Sequence, residues 1–159
     1  MSTFNINRGW LRPVAAAVFV AGFAAAAQAG ECPADKRMAN ARQAVNLPGS
    51  GVTDTTLGAI DLGKEQAKIT GRELRFRKMT IAPGGVVPWH SHDDRPALIY
   101  VAEGEIIEYA SNCAAPIVHA AGDVARETHV VAHWWKNLSD APVTLLSFDI
   151  LHDQADKAM

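Results

Sequence analysis

The sequence has no excess of basic residues. Its 159 residues include 15 Lys and Arg against 17 Asp and Glu, a formal net charge of −2. A general nucleic-acid binder presents a basic surface that neutralises phosphates. We therefore expect no nucleic-acid partner.

Long hydrophobic runs are also missing. The apolar stretch Val14 to Ala27 has 14 residues, whereas a membrane-spanning helix needs about 20. Arg8 and Arg12 precede it and the small-residue sequence Ala27-Gln28-Ala29 ends it, which is the order of a secretory signal peptide. We predict a signal peptide over residues 1–29, cleavage after Ala29, and a periplasmic or secreted protein without a membrane anchor. A retained anchor is the alternative, and the short run disfavours it.

Cysteine is nearly absent, since Cys32 and Cys113 are the only two in the sequence. Both follow the predicted cleavage site and would enter an oxidising compartment, where disulfides persist. We predict a Cys32–Cys113 disulfide that ties the N-terminal arm to the domain. Two unrelated thiols are the alternative.

Helical periodicity and internal repeats are not found after Thr55. Short runs of β-branched, aliphatic and aromatic residues alternate there with turn residues, which predicts an all-β sandwich or barrel. The predicted strands are 72–81, 97–102, 106–110, 116–120, 133–137 and 143–151, and the breaks include Pro83-Gly84-Gly85, Glu103-Gly104-Glu105 and Gly122-Asp123. The roughly 130 residues after the signal peptide fit one domain.

The stretch "PWHSHDDRPALIYVAEGE", Pro88 to Glu105, places His90 and His92 two residues apart. Side chains at this spacing in a strand point to the same face, as two ligands of one metal must. His133 lies on another predicted strand, and a closed barrel can bring the three imidazoles to one ion. A polar pocket that binds a ligand without metal is the alternative.

These residues resemble the two sequence motifs of the cupin superfamily. The first motif is Gly, five residues, His-x-His, three or four residues, Glu, six residues, Gly. The second is Gly, five residues, Pro-x-Gly, two residues, His, three residues, Asn. The matching residues are Gly84, His90, His92, Gly104, Gly122, His133 and Asn137. Ala97 stands at the glutamate position, and Thr128 and Val130 replace the proline and glycine.

The resemblance implies a cupin-type double-stranded β-helix, a jelly-roll barrel, over residues 71–151. An N-terminal arm and leading strand (30–70) would precede it, and a flexible tail (152–159) would follow it. Cupins similar to this chain pair through edge strands, which covers unpaired backbone groups. We therefore expect a homodimer.

The resemblance also implies a metal site formed by His90, His92 and His133. One divalent transition metal is expected there, with iron favoured and copper, nickel, zinc or manganese as alternatives. Because Ala97 offers no ligand atom, Asp93 or Asp94 is a candidate for an oxygen ligand.

Three neutral imidazoles leave the charge of a divalent ion uncompensated, so we expect a small anionic or enolisable substrate. Facially arranged ligands leave open positions, which suits a dioxygenase-like oxidoreductase. Arg95 is the candidate to orient a substrate carboxylate, unless it forms a salt bridge with an aspartate. Tyr100 is a candidate hydrogen-bond donor, with core packing as its alternative. The competing functions are a non-catalytic small-ligand or metal-binding protein, and a lyase or isomerase with Tyr100 or Glu108 as base.

Overall fold

The computed structural model describes residues 30–152, in which we find eight β-strands and one turn of 3-10 helix, Ala34–Lys36. The strands are β1 (Ser50–Asp61), β2 (Arg72–Ser91), β3 (Ala97–Glu103), β4 (Glu105–Ala110), β5 (Ile117–Ala120), β6 (Val124–Glu127), β7 (Ala132–Lys136) and β8 (Val143–His152). The predicted signal peptide and tail residues 153–159 lie outside the described residues. Within 30–152, no helix has the length and apolar character needed to cross a membrane.

The strands form one antiparallel sheet in the order β5-β4-β7-β2-β8-β3-β6, and β1 pairs with β2 beside this path. The sheet curls into a nearly closed barrel. This confirms the predicted all-β barrel.

The longest strand, β2, bends in its middle at Pro83-Gly84-Gly85. The first half pairs with β8 and the second half pairs with β7. Gly84 has φ +73°, and a Cβ atom at Gly85 would lie 2.7 Å from Ile81 Cγ2, so both positions require glycine. The predicted break at this sequence was therefore wrong, because the glycines bend the strand without ending it.

The buried amide of Asn137 holds this bend in place. Its Nδ2 donates to the carbonyl oxygens of Ile81 at 3.0 Å and Ala82 at 3.2 Å. The backbone N–H of Asn137 donates to the carbonyl of Gly85 at 3.0 Å. These bonds fix the end of β7 against β2, four residues beyond His133.

Alternating side chains of the strands fill the barrel with an apolar core. Its buried members are Met79, Ile81, Val87, Ala97, Ile99, Val101, Ile106, Ala125, Trp135, Val143 and Leu145. Full burial of one such large aliphatic side chain contributes roughly 1.5–3 kcal/mol. This core stabilises the walls on which the polar residues of the interior stand.

The N-terminal arm is attached to the barrel by a disulfide between Cys32 and Cys113, whose Cα atoms are 5.8 Å apart. This confirms the predicted pairing. The Arg42 side chain reinforces the attachment by donating to the carbonyl oxygens of Cys113 at 3.1 Å and Ala114 at 2.9 Å. The disulfide is consistent with an oxidising environment.

Candidate metal centre

The structure brings His90, His92 and His133 together inside the barrel. His90 lies near the end of β2, directly opposite His133 of β7 in the strand register, and His92 follows the end of β2. The Nε2 atoms of His90 and His92 are 3.0 Å apart. One ring nitrogen from each of the three histidines lies within 4.8 Å of the others.

The other ring nitrogen of each histidine faces a hydrogen-bond acceptor. Nδ1 of His90 donates to the carbonyl of Pro88 at 2.8 Å, and Nδ1 of His92 donates to the carbonyl of Arg95 at 2.8 Å. Nδ1 of His133 donates to the carboxylate of Glu108 at 2.7 Å. These acceptors assign the proton to each Nδ1, although Trp135 Nε1 also lies 3.3 Å from Nδ1 of His133. Each neutral ring in this tautomer keeps the lone pair of its Nε2 for another partner.

This arrangement fits a divalent metal ion. Two Nε2 lone pairs that face each other at 3.0 Å repel unless a cation lies between them. Two ligands bound to one ion at about 2.0–2.1 Å lie at most about 4.2 Å apart, so the observed spacing is compatible with shared coordination. The Nε2 atom of His133 is buried without a hydrogen-bond partner among residues 30–152, as a vacant ligand atom would be.

Burial keeps two of the three imidazoles neutral. It lowers the pKa of His90 to about 3 and the pKa of His92 to about 4, and the neighbouring His133 lowers both pKa values further. Metal binding requires the neutral imidazole. Both rings are therefore in the ligating form at neutral pH.

Glu108, on β4, orients two buried histidines. Its carboxylate accepts from Nε2 of His119 at 2.7 Å and from Nδ1 of His133 at 2.7 Å. Burial alone would raise the pKa of Glu108, but the hydrogen bonds from these histidines outweigh it and lower the pKa. An ionised carboxylate behind a metal-binding histidine fixes the ring and raises the basicity of its free nitrogen.

A second buried carboxylate, Glu127 at the end of β6, lies beside the same histidines. Its Oε2 is 3.2 Å from Nδ1 of His133 and 4.0 Å from Nε2 of His92. Its Oε1 is buried and has no hydrogen-bond partner in the described part of the chain. Burial raises the pKa of Glu127. Sequence analysis did not identify Glu127, although its side chain points to the same interior face of β6 as that of Ala125.

The two buried carboxyl groups favour positive charge on His133. Burial disfavours the charged form of His133, yet the adjacent Glu127 and Glu108 raise its pKa. A proton on His133 would occupy Nε2, which has no acceptor within residues 30–152. A metal ion at the three Nε2 atoms satisfies the carboxylates without that orphaned donor.

The two candidate aspartates lie away from the histidines. Asp93 is exposed and accepts from the backbone N–H of Val130 at 2.7 Å. Asp94 is 58% exposed and accepts from Arg72 Nη2 at 2.5 Å, with His152 also close. The structure does not bring either carboxylate to the cluster.

The two residues predicted to assist a reaction are placed differently. Arg95 is 3% exposed, and its charge contributes to lowering the pKa values of His90 and His92. Tyr100 is 40% exposed and lies on the outer face of β3, in the opposite alternation from buried Ile99. The structure brings Arg95 close to the histidines and leaves Tyr100 outside.

A pocket of about 310 Å³, counting its opening to solvent, adjoins the cluster. Its lining residues are Arg77, Met79, Val87, His90, His92, Ile99, Glu127, His133, Trp135 and Leu145. Arg77 is held by Asp54 and by Asp149, and its Nε atom is buried without a partner in the described chain. The part of it that a water-sized group can occupy is only about 20 Å³, room for about one water or one ion, so a larger occupant requires the lining side chains to move.

The fold and the interior cluster define a small β-barrel protein with a candidate metal centre. Residues 77–149 match the family model of the cupin domain. Residues 77–149 therefore resemble a cupin domain, and the barrel is of the jelly-roll type. No curated protein sequence matches the chain significantly.

Several solved structures are similar to this chain at low sequence identity. KdgF from Halomonas sp. aligns with TM-score 0.52 and 13% identity, covering 76% of this chain and 96% of its own. A sugar phosphate isomerase of the cupin superfamily from Silicibacter pomeroyi aligns with TM-score 0.49 and 18% identity, covering 78% and 82%. Oxalate oxidase in complex with glycolate aligns with TM-score 0.49 and 20% identity, covering 67% and 57%. At these identities the likeness concerns the fold alone.

Proposed function

We propose that this protein is a metal-dependent oxidoreductase of the dioxygenase kind, acting on a small anionic or enolisable substrate. His90, His92 and His133 would hold one divalent transition metal. The observation that carries the proposal is the common orientation of the three rings, since every Nδ1 is occupied by an acceptor while the Nε2 atoms face one another.

Iron is the favoured metal, and copper, nickel, zinc or manganese are alternatives. Imidazole ligands suit several of these ions, and a bound redox-active ion with open positions would supply oxidative chemistry for substrate and oxygen. The chain contributes the neutral ligand atoms and the Glu108 carboxylate that fixes the ring of His133.

The pocket favours a small anion. Arg77 lines it with a guanidinium that is almost completely buried, and Arg95 places a second buried cation near the histidines. A planar guanidinium matches the oxygens of a carboxylate. Met79, Ile99 and Trp135 line the same pocket and are buried. We propose that Arg95 orients the anionic group of the substrate, since Arg77 is already paired with Asp54 and Asp149.

Oxygen consumption tests the proposal directly. The Fe(II)-loaded protein would be supplied with small diketones, thiols and phenolic acids, and oxygen uptake would be recorded beside the His92→Ala variant. We expect substrate-dependent uptake by the parent alone. An iron-filled parent that consumes no oxygen with any of these compounds would contradict the oxidoreductase assignment.

A non-catalytic binding protein is the second candidate, and the burial of the cluster favours it. His92 is 3% exposed and His133 is 1% exposed, so only a narrow opening reaches the ligand atoms. Ligand or metal that raises the melting temperature without turnover would select this function. The lyase or isomerase alternative is weaker, because Tyr100 lies outside and Glu108 is bound to two histidines.

Two properties of the whole protein accompany the proposal. We propose a periplasmic or secreted location, which the Cys32–Cys113 disulfide supports. We also propose a homodimer, supported by the long outer strand β1, whose Leu57 and Ile60 are exposed. Light scattering of the purified chain would give a mass of two chains, and a mass of one chain would exclude the dimer.

A further inference from the structure

Ala97 and Glu127 lie side by side on adjacent strands of the barrel wall. The two residues are Cα partners in the antiparallel ladder of β3 and β6, and both are buried. Side chains opposite each other in such a ladder stand on the same face, with Cβ atoms about 4.5–5.5 Å apart. The carboxylate of Glu127 therefore enters the interior beside the position at which the first cupin motif has glutamate and this chain has alanine.

We propose that Glu127 is the oxygen ligand of the metal centre, supplied by β6 in place of the side chain that Ala97 lacks. The inference rests on the proposed function, because it assumes a metal ion at His90, His92 and His133. It assigns the chain a three-histidine, one-carboxylate site in which the carboxylate has moved to the neighbouring strand.

One distance places Glu127 within reach of an ion bound at His92, and the carboxylate also forms a second close group with Glu108 and His133. Its Oε2 is 4.0 Å from Nε2 of His92. Nitrogen and oxygen ligands at about 2.0–2.2 Å from one ion are separated by no more than about 4.3 Å. Glu127 also lines the same pocket as the three histidines.

The hydrogen bonds leave Glu127 in need of a cation. The N–H at Nδ1 of His133 is already donated to Glu108 at 2.7 Å, so the 3.2 Å contact does not satisfy Glu127. Its Oε1 has no partner within residues 30–152. A buried carboxylate without a donor or a cation is costly. A proton on the carboxyl group, whose pKa burial raises, reduces that cost, and a metal ion at the adjacent Nε2 atoms would remove it while leaving the carboxylate ionised.

The other nearby carboxylates have different partners. Asp93 accepts from the backbone of Val130, and Asp94 pairs with Arg72 at the surface. Glu108 accepts from His119 and His133 on the side of the ring away from Nε2. Among these four carboxylates, Glu127 alone both lines the pocket and has an unsatisfied oxygen.

Metal affinity of carboxylate variants tests the inference. Glu127→Gln keeps the shape and removes the charge, and exposed Glu105→Gln on β4 is the matched control. Dissociation constants for Co(II) would come from chelator competition, and the visible spectrum of the Co(II) protein would report its ligand set. We expect Glu127→Gln to weaken binding by about 10–100-fold and to shift the spectrum, and Glu105→Gln to change neither.

A double variant tests whether a carboxylate on β3 can replace the carboxylate on β6. Glu127→Ala combined with Ala97→Glu should recover affinity to within a few-fold of the parent, whereas Glu127→Ala alone should not. Failure of this recovery would overturn the equivalence of the two positions.

Should Glu127→Gln not fold, the crystal structure of the Co(II)-loaded parent decides. We expect a Glu127 oxygen in the coordination sphere, and an ion bound by histidines without Glu127 would overturn the inference.

The failures of the two proposals are distinguishable. A parent that binds metal, a His92→Ala variant that loses it and a Glu127→Gln variant that matches the parent in affinity and spectrum would remove Glu127 and leave the histidine site intact. A parent that binds no Co(II) at all would remove the metal centre itself, and Glu127 with it.

Discussion

Two regions of one barrel interior differ in almost every physical respect. In the apolar region, Ile81, Val101, Ile106 and Val143 are completely buried. In the polar region, which we define as His90, His92, His133, Glu108 and Glu127, burial comes with ligand atoms that lack partners in the described chain.

The same strands supply both regions. β2 contributes Ile81 before its bend and His90 after it, and β4 contributes both Ile106 and Glu108. Burial in the first region therefore stabilises the fold, whereas burial in the second costs stability until a cation binds. The difference teaches that a cavity in the apolar region should lower stability without removing the metal, whereas metal binding at the polar region should add to stability.

The largest expected effect on the fold comes from the apolar region. Ile106→Ala removes a fully buried side chain and leaves a cavity, so we expect the free energy of unfolding to fall by about 2–5 kcal/mol. Metal bound per folded molecule should not change. Urea unfolding measures the first quantity and elemental analysis measures the second.

Exposed Val118→Ala on β5 is the matched control, and we expect its effect to stay within about 0.5 kcal/mol. Loss of metal in folded Ile106→Ala would show that the two regions are coupled.

The disulfide should affect the fold to a slightly smaller extent. Replacing Cys32 and Cys113 by serine frees an arm that is joined across a sequence separation of 81 residues. We expect the free energy of unfolding to fall by about 2–4 kcal/mol, because the unfolded chain is no longer constrained. Metal content should be unchanged. A variant with parental stability in urea would contradict a structural role for the bridge.

Metal addition should stabilise the protein through the polar region alone. At a free concentration of 100 times the dissociation constant, a ligand specific for the native state adds about 2.7 kcal/mol. We expect the melting temperature of the parent and of exposed His129→Ala to rise with added metal. The His90→Ala/His92→Ala variant should show no rise, and an equal rise there would place the metal elsewhere.

The smallest effect should come from the aspartate pair beside the first two histidines. Asp94 lies at the surface with Arg72, so Asp94→Asn should leave metal content and melting temperature nearly as in the parent. The measurement is elemental analysis combined with thermal melting. Metal lost from this variant would make Asp94 a ligand and would contradict the separation of the surface turn from the interior.

The strand pattern and the histidine spacing were predictable from sequence. A period of two places His90 and His92 on one face, and the second motif places His133 on a facing strand. The disulfide was predictable because two cysteines that follow a predicted signal peptide allow one pairing. The bend of β2 was not predictable. Glycines often mark the end of a strand, but they can also bend a continuous strand so that its two halves pair with different neighbours.

Physical reasons explain why the sequence did not identify Glu127 and why it assigned Tyr100 to the site. β6 has four residues, of which two are charged, so it gives little alternation signal and Glu127 was missed with it. Tyr100 was proposed for the site, but a single-residue step in a strand reverses the face, and the structure places it outside. Sequence spacing thus identifies ligands within one strand better than partners brought together by pairing.

The most direct test of the metal centre is elemental analysis of the mature protein, purified without chelator, beside the His90→Ala/His92→Ala variant. The account predicts a transition metal close to stoichiometric amount in the parent and none in the folded variant. Two folded proteins that both lack metal, even after exposure to iron, copper, nickel, zinc and manganese, would contradict it.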